Sequence, residues 1–378
     1  MELIWISVGI LLAIWLERKI YAPDKIRGIS YQLEAEPIRL GEGESLIIKE
    51  TVTNKGLLPF PMISTEIQAP EELEFTEKDS SPRKGHRFIS RKSSLIWFQR
   101  VIRKYPFIAK RRGVHQVRLS GFRYADALLL DSHSLPVEGW CTLLVYPRIY
   151  ALHQILAIPQ SLFGDTFVRR WILEDYFFPS GTRDYQPGDN IRFIDWKKTA
   201  KYQALQTRTY DYTASNELSI IINLQTSDSI WIGMDVELAE DIIRVAASMV
   251  HAAAQEGFQI GLFANGGCIG YRGQVLALPA DLYHGVDQLY ECLARLVNFH
   301  SQNLPHFLEN HSGYFDGDGN VVLITGYMND EIERSLHTLK ARVKNFRILA
   351  LGQEAERWKD SMDLPIFPVS IKEGKIHD

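Results

Sequence analysis

The chain has 378 residues, 46% of them hydrophobic and 23% charged, with a formal net charge of −4. That balance excludes a disordered chain, and the length allows two or three domains, each with its own core. Cys141, Cys268 and Cys292 are odd in number, widely spaced and outside any C-x-x-C pattern. That suits a reducing compartment and argues against both a disulfide framework and a cysteine metal site.

The uncharged run Leu3 to Leu16 (LIWISVGILLAIWL) ends at Glu17, Arg18 and Lys19. It is apolar on every side, no Lys or Arg precedes it, and no small-residue cleavage site follows, so a signal peptide and an ordinary surface helix both fit badly. Extension through Ile20 and Tyr21, with Arg18 and Lys19 snorkelling, predicts a single transmembrane anchor over residues 1–22. Arg18, Lys19, Lys25 and Arg27 follow the run and only Glu2 precedes it, which places the bulk of the chain in the cytoplasm.

Residues 30–150 read as short alternating strands broken by Gly and Pro: SLIIKETVTN, MISTEIQAP, VHQVRLSGF and CTLLVYPRI. An immunoglobulin-like all-β sandwich is the expected architecture. Between Ser80 and Ala125 lie thirteen Lys or Arg residues and no Asp or Glu. Arg83, Lys84, Arg87, Arg91, Lys92, Arg103, Lys104, Lys110, Arg111 and Arg112 form a candidate surface for the anionic lipid of the inner leaflet. Edge protection of a sheet is the plainer explanation of the same charges.

From residue 218 to 378 strands and helices alternate. SIIINLQ is a continuous apolar run, as in a strand buried on both faces. A helix is expected over Asp235 to Glu256, with Asp235 as N-cap and Gly257 as stop. FQIGLFA, a hairpin in CIGYRGQVLAL, a helix over Asp281 to Asn298, NVVLITG, a helix over Asp330 to Lys344, and FRILALG follow. This predicts a doubly wound, mainly parallel sheet.

Residues 151–217 connect the two domains and hold a turn-rich run, FFPSGTRDYQPGDNIRFIDWKKTAKYQALQTRTYD. Tyr185-Gln186-Pro187-Gly188 suits a type II turn, and Asp189 a cap. The spacing of Arg183, Tyr185, Pro187, Gly188, Asp189, Arg192, Ile194, Trp196, Thr199 and Ala200 resembles the signature of the domain of unknown function 58 family. RRGVHQVRLSGF and LLVYPRI add to the likeness. The resemblance implies an N-terminal membrane segment, a β-rich domain and a domain similar to von Willebrand factor A. It also implies, as partners, a MoxR-type AAA+ ATPase and other membrane proteins. Metal-binding A-type domains carry D-x-S-x-S after the first strand and an Asp after a later one. Here those places hold Asn223, Gln225 and Ser227, then Gly326, so both carboxylates a hard cation wants are missing and a degenerate site is expected.

No Walker A sequence, H-E-x-x-H pair or G-x-S-x-G turn occurs. The expectation is a non-enzymatic, single-pass cell-membrane scaffold or adaptor without a cofactor; nucleic acid is not an expected partner, and the sequence identifies no small-molecule substrate. Its contact surface would be Arg183, Tyr185, Pro187, Gly188, Asp189, Arg192, Asp195 and Trp196. The same residues could instead staple the segment to the α/β domain. An exported cell-envelope adhesion module and a hydrolase acting through Asp189 and Asp195 are the alternatives.

Overall fold

The computed structural model describes residues 2–76, 81–83, 85–151, 155, 181–186, 194–209, 217–228, 234–280, 285–315 and 317–371. The chain divides into two units, Met1–Arg148 and Ile149–Asp378.

The first unit begins with α1 (Glu2–Ile20) and continues with eleven strands among the described residues. These are β1 (Ile29–Glu36), β2 (Arg39–Gly41), β3 (Ser45–Asn54), β4 (Phe60–Pro70), β5 (Leu73–Phe75), β6 (Ser81–Arg83), β7 (His86–Leu95), β8 (Arg100–Ala109), β9 (Gly113–Ala125), β10 (Ser132–Ser134) and β11 (Trp140–Tyr146). One sheet has the order β1-β3-β8-β5; the other runs β2-β11-β9-β4-β7-β6, with β10 on β9. Period-2 alternation brings the two inner faces into one core, where Ile48 and Phe107 of the first sheet meet Ile67, Ile89 and Val117 of the second.

The alternation also carries a charge inward. Leu46, Ile48, Glu50, Val52 and Asn54 all point to the core from β3. Glu50 is held there by Arg103, its cross-strand partner on β8, at 2.9 Å. Tyr105 Oη donates to the same carboxylate oxygen at 2.7 Å, and Arg103 also donates to Thr65 Oγ1 at 3.1 Å. Burial and the neighbouring Glu50 carboxylate raise the Tyr31 and Tyr105 hydroxyls well above the usual phenol range.

The expected transmembrane anchor over residues 1–22 needs correction. Residues 2–20 do form a helix, but among the described residues no helix is long and apolar enough to cross a membrane. Length is the reason: at 1.5 Å per residue the 14 uncharged residues rise ~21 Å, against a hydrocarbon core of about 30 Å. The charges that would have snorkelled are used differently. Glu17 Oε1 accepts from Leu128 N at 2.7 Å, and Arg18 Nε pairs with Asp131 at 3.1 Å. They fasten the C-terminal end of α1 to the sandwich, while Trp5, Leu11, Leu12, Trp15 and Leu16 stay exposed.

The second unit holds β12 (Gly181–Asp184), α2 (Trp196–Tyr202), β13 (Gln206–Thr209), β14 (Glu217–Ile222), α3 (Val236–Gln255), β15 (Gln259–Ala264), β16 (Leu276–Leu278), α4 (Val286–Arg295), α5 (Leu304–Asn310), β17 (Gly317–Thr325), α6 (Asp330–Arg342), β18 (Val343–Ala350), α7 (Ala355–Ser361) and β19 (Ile366–Pro368). Its main sheet has the order β16-β15-β14-β17-β18-β19, with β16 antiparallel and the remaining pairs parallel. Both faces are covered. Ile220 and Ile222 pack with α3 and α4 residues, whereas Ile221 packs with Phe307, Ile332 and Trp358.

Helix α3 starts where Asp235 accepts from Leu238 N at 3.0 Å, and Gly257 beyond its end takes φ +76°. The expected hairpin at residues 268–278 is reduced to β16 against β15, because residues 267–269 pair with 295–297 instead. The expected helix over 281–298 is described only from Val286 to Arg295, and α6 stops at Arg342 because Val343 already begins β18.

Candidate functional site: a capped helix and the sheet switch point

The signature run folds as a small antiparallel hairpin carrying a helix. Strands β12 and β13 pair from Gly181↔Thr209 to Asp184↔Gln206, and Ile194 bridges Thr207. Asp195 begins α2: its carboxylate accepts from Lys198 N at 3.1 Å, its carbonyl from Thr199 N at 2.8 Å, and its own N–H bonds Gln206 O at 2.8 Å. Thr199 Oγ1 accepts from Gln206 N at 2.9 Å, and Gln206 Nε2 donates to Asp184. Arg183 Nη1 donates to the Asp184 carbonyl at 3.2 Å, and Tyr185 N to Leu205 O at 2.8 Å.

Among the described residues, Asp184, Asp195, Thr199 and Gln206 therefore hold the hairpin and helix to each other. The large rings are left outside. Trp196 is 64% exposed, Tyr202 61% and Leu205 45%, and α2 buries none of its residues. Lys197, Lys198 and Lys201 are exposed on the same short helix, with Lys201 Nζ 5.8 Å from the Tyr202 ring centre. Asp195 caps α2 through one oxygen of its carboxylate. Pro187, Gly188, Asp189 and Arg192 lie outside the described residues.

The second predicted cluster sits at the C-terminal edge of the main sheet. Strand order reverses between β14 and β17, and ligands of doubly wound sheets bind at such a point. Asn223, Asn265 and Thr325 close the ends of three neighbouring strands. Asn223 Nδ2 donates to Thr325 Oγ1 at 2.9 Å, and Asn265 Nδ2 donates to Asn223 Oδ1 at 2.9 Å. Asn223 Oδ1 also accepts from Gln225 N at 3.1 Å, and Asn265 Oδ1 from Leu224 N at 2.8 Å. All three side chains are buried.

This donor set does not fit a divalent cation. It is neutral, its oxygens are engaged in hydrogen bonds, and Leu238 of α3 occupies the space beside Gly326 where a carboxylate would project. At the rim, Ser227 precedes Asp228, whose carboxyl is held below the usual range by hydrogen bonds from Tyr327 and Asn329. Burial first, then the Asp228 hydrogen bond and charge, pushes the Tyr327 hydroxyl up to about 12. Asn265 and Thr325 were absent from the sequence-based set. The sequence signal for Asn265 is a polar residue directly after FQIGLFA, matching Asn223 after SIII.

The basic positions do not share one face. Arg83 lies on β6, Arg87, Arg91 and Lys92 on β7, and Arg103 and Lys104 on β8 of the opposite sheet, while Lys110, Arg111 and Arg112 fall between β8 and β9. Arg103 neutralises Glu50, Lys110 pairs with Glu74 at 2.9 Å, and Arg112 is buried. Arg83 stacks over Phe88 with 5.8 Å to the ring centre, and Lys84 lies outside the described residues.

Fold and site together define a β-sandwich followed by a doubly wound α/β unit that carries a structured signature hairpin. The profile of the family described as protein of unknown function DUF58 matches residues 181–356 of this chain. An uncharacterised protein, YeaD of Bacillus subtilis (strain 168), is 25% identical over 251 residues, 64% of this chain and 57% of that protein, so the match spans little more than half of the relative. Among solved structures, a cohesin module from a Clostridium perfringens family 33 glycoside hydrolase matches 32% of this chain and 98% of its own at 7% identity and TM-score 0.25. A CARDB domain from Pyrococcus furiosus covers 31% of this chain and 86% of its own at 10% identity and TM-score 0.22. At those scores the two likenesses carry no functional argument.

Proposed function

We propose that this chain is a non-enzymatic binding protein whose contact surface is the α2 face of the signature hairpin. The observation that carries the reading is the outward display of Trp196. A staple would bury the ring against the α/β unit, yet the hairpin is held by Asp184, Asp195, Thr199 and Gln206, and Trp196 stands in solvent. Exposed Trp on a preorganised element is the residue type that dominates binding energy at protein interfaces. Three lysines beside it suit a partner with an acidic rim, which would steer association more than tighten it.

The family resemblance puts a MoxR-type AAA+ ATPase first among partner classes, with this chain as its adaptor. The network at the switch point supports a contact made without a bridging ion, since its amides and hydroxyl are engaged with one another.

The test is an affinity pull-down of the full-length chain from its native host beside Trp196→Ala and Lys198→Ala. Circular dichroism and thermal melting of each variant would verify folding. Recovery of an AAA+ ATPase with wild type, reduced at least about tenfold by Trp196→Ala at unchanged stability, is the expected result. Equal recovery by a folded Trp196→Ala protein would overturn the assignment of the surface.

A further inference from the structure

The sequence places Cys268 and Cys292 24 residues apart with nothing to connect them, yet the fold brings them together. Cys268 lies between β15 and β16, and Cys292 on α4. The segment after β15 is clasped to the end of α4 by two backbone hydrogen bonds, Ile269 N to Arg295 O and Val297 N to Gly267 O, both at 2.9 Å. Cys268 bridges Leu296 in antiparallel register, one helical turn beyond Cys292. The Cys268 thiol points at that turn, with its sulfur 3.6 Å from the Cys292 carbonyl oxygen. Neither cysteine is in a disulfide, and the two are 7% and 8% exposed.

We infer that Cys268 and Cys292 are a redox pair, two thiols that hydrogen peroxide converts into an intramolecular disulfide. The chemistry balances in two steps. The Cys292 sulfur attacks one peroxide oxygen, the O–O bond breaks, and a sulfenic acid and one water form. The Cys268 sulfur then attacks the sulfenic sulfur, the S–O bond breaks, and the oxygen leaves as a second water with the thiol proton. Two electrons pass from the thiols to the peroxide, and an added dithiol returns them.

Cys292 is the natural first nucleophile. A hydrogen bond from Cys268 holds its thiol below the ordinary value, with Arg295 assisting, against burial and Glu291. At Cys141 burial pushes the thiol up to about 11. The bond would join α4 to the segment that begins at Asn265, the residue that ties β15 to β14 through Asn223. Oxidation would thereby rigidify the rim of the switch point.

Peptide mapping of the full-length protein tests this. Trypsin separates Cys268 (residues 245–272), Cys292 (273–295) and Cys141 (124–148) onto three peptides. After hydrogen peroxide and blocking of remaining thiols under denaturing conditions, the first two should appear as one linked species lighter by two hydrogens. Dithiothreitol should release them. In Cys268→Ser, a sulfenic-acid trap should label Cys292. Separate, blocked Cys268 and Cys292 peptides under conditions that oxidise Cys141 would overturn the inference. So would linkage of either to Cys141, or failure of the trap at Cys292 in folded Cys268→Ser.

Discussion

Leu238 and Gly326 interlock at the switch point of the α/β sheet: a Cβ on Gly326 would lie 2.7 Å from Leu238 Cδ2 and 2.8 Å from its Cγ. Leu238 is fixed in turn, because its N–H is the donor to the Asp235 cap of α3. The place where an A-type domain projects its second carboxylate is thus filled by a leucine from the first turn of the crossover helix.

Gly326→Asp should therefore destabilise the α/β unit by about 1–3 kcal/mol through overpacking, without creating a cation site. Urea unfolding with and without magnesium measures both effects. A midpoint that rises with magnesium in this variant would show that the neighbouring amides can be recruited as ligands after all.

The Asn223–Asn265–Thr325 network replaces charge with mutual satisfaction. Asn265 Nδ2 serves both Asn223 Oδ1 at 2.9 Å and Gln302 O at 3.1 Å, while its carbonyl takes Leu224 N. Removing it in Asn265→Ala strands several buried groups at once, and about 2–4 kcal/mol should be lost. Asn265→Asp should fare no better, since an acceptor-only carboxylate would meet Asn223 Oδ1 and Gln302 O. Parity of Asn265→Asp with wild type in thermal melting would contradict the assigned donor roles.

Legibility in the sequence followed the range of the interaction. Helix α3 could be read to within a residue because its cap, Asp235, and its stop, Gly257, act locally. Helix α1 could be read as a helix, but its fate depended on how far 14 uncharged residues reach and on where Glu17 and Arg18 find partners, more than a hundred residues away. Whether Trp196 was pinned or displayed could not be read, because burial depends on what the fold packs over a residue. Asn265 and the Cys268/Cys292 contact were invisible for the same reason: strand order creates both.

Glu50 was legible in principle, as the single acid in the inward row Leu46, Ile48, Glu50 and Val52. Arg103→Ala would leave that carboxylate buried without its cationic partner, with Tyr105 still donating to it, at a cost of about 3–5 kcal/mol. Replacing both partners, Glu50→Leu with Arg103→Met, should recover most of the loss. A double variant no more stable than Arg103→Ala would mean that the pair is held by packing of the arginine stem and not by charge.

His300 supplies the pH dependence. It is buried just beyond α4, its Nε2 has no hydrogen-bond partner, and the next residue, Ser301, donates its N–H to Asn265 O at 2.7 Å. Burial lowers its pKa below the ordinary 6.5, and a hydrogen bond with Asn303 only partly opposes this. The unfolded chain therefore takes up the proton first as pH falls. The contribution to stability is complete above pH 6.5 and is lost as the solution is acidified through and below that value. Urea midpoints of wild type should fall between about pH 7.5 and about 5.5, and His300→Gln should fall less. Equal slopes for the two proteins would remove His300 as the source and point to other histidines in the chain.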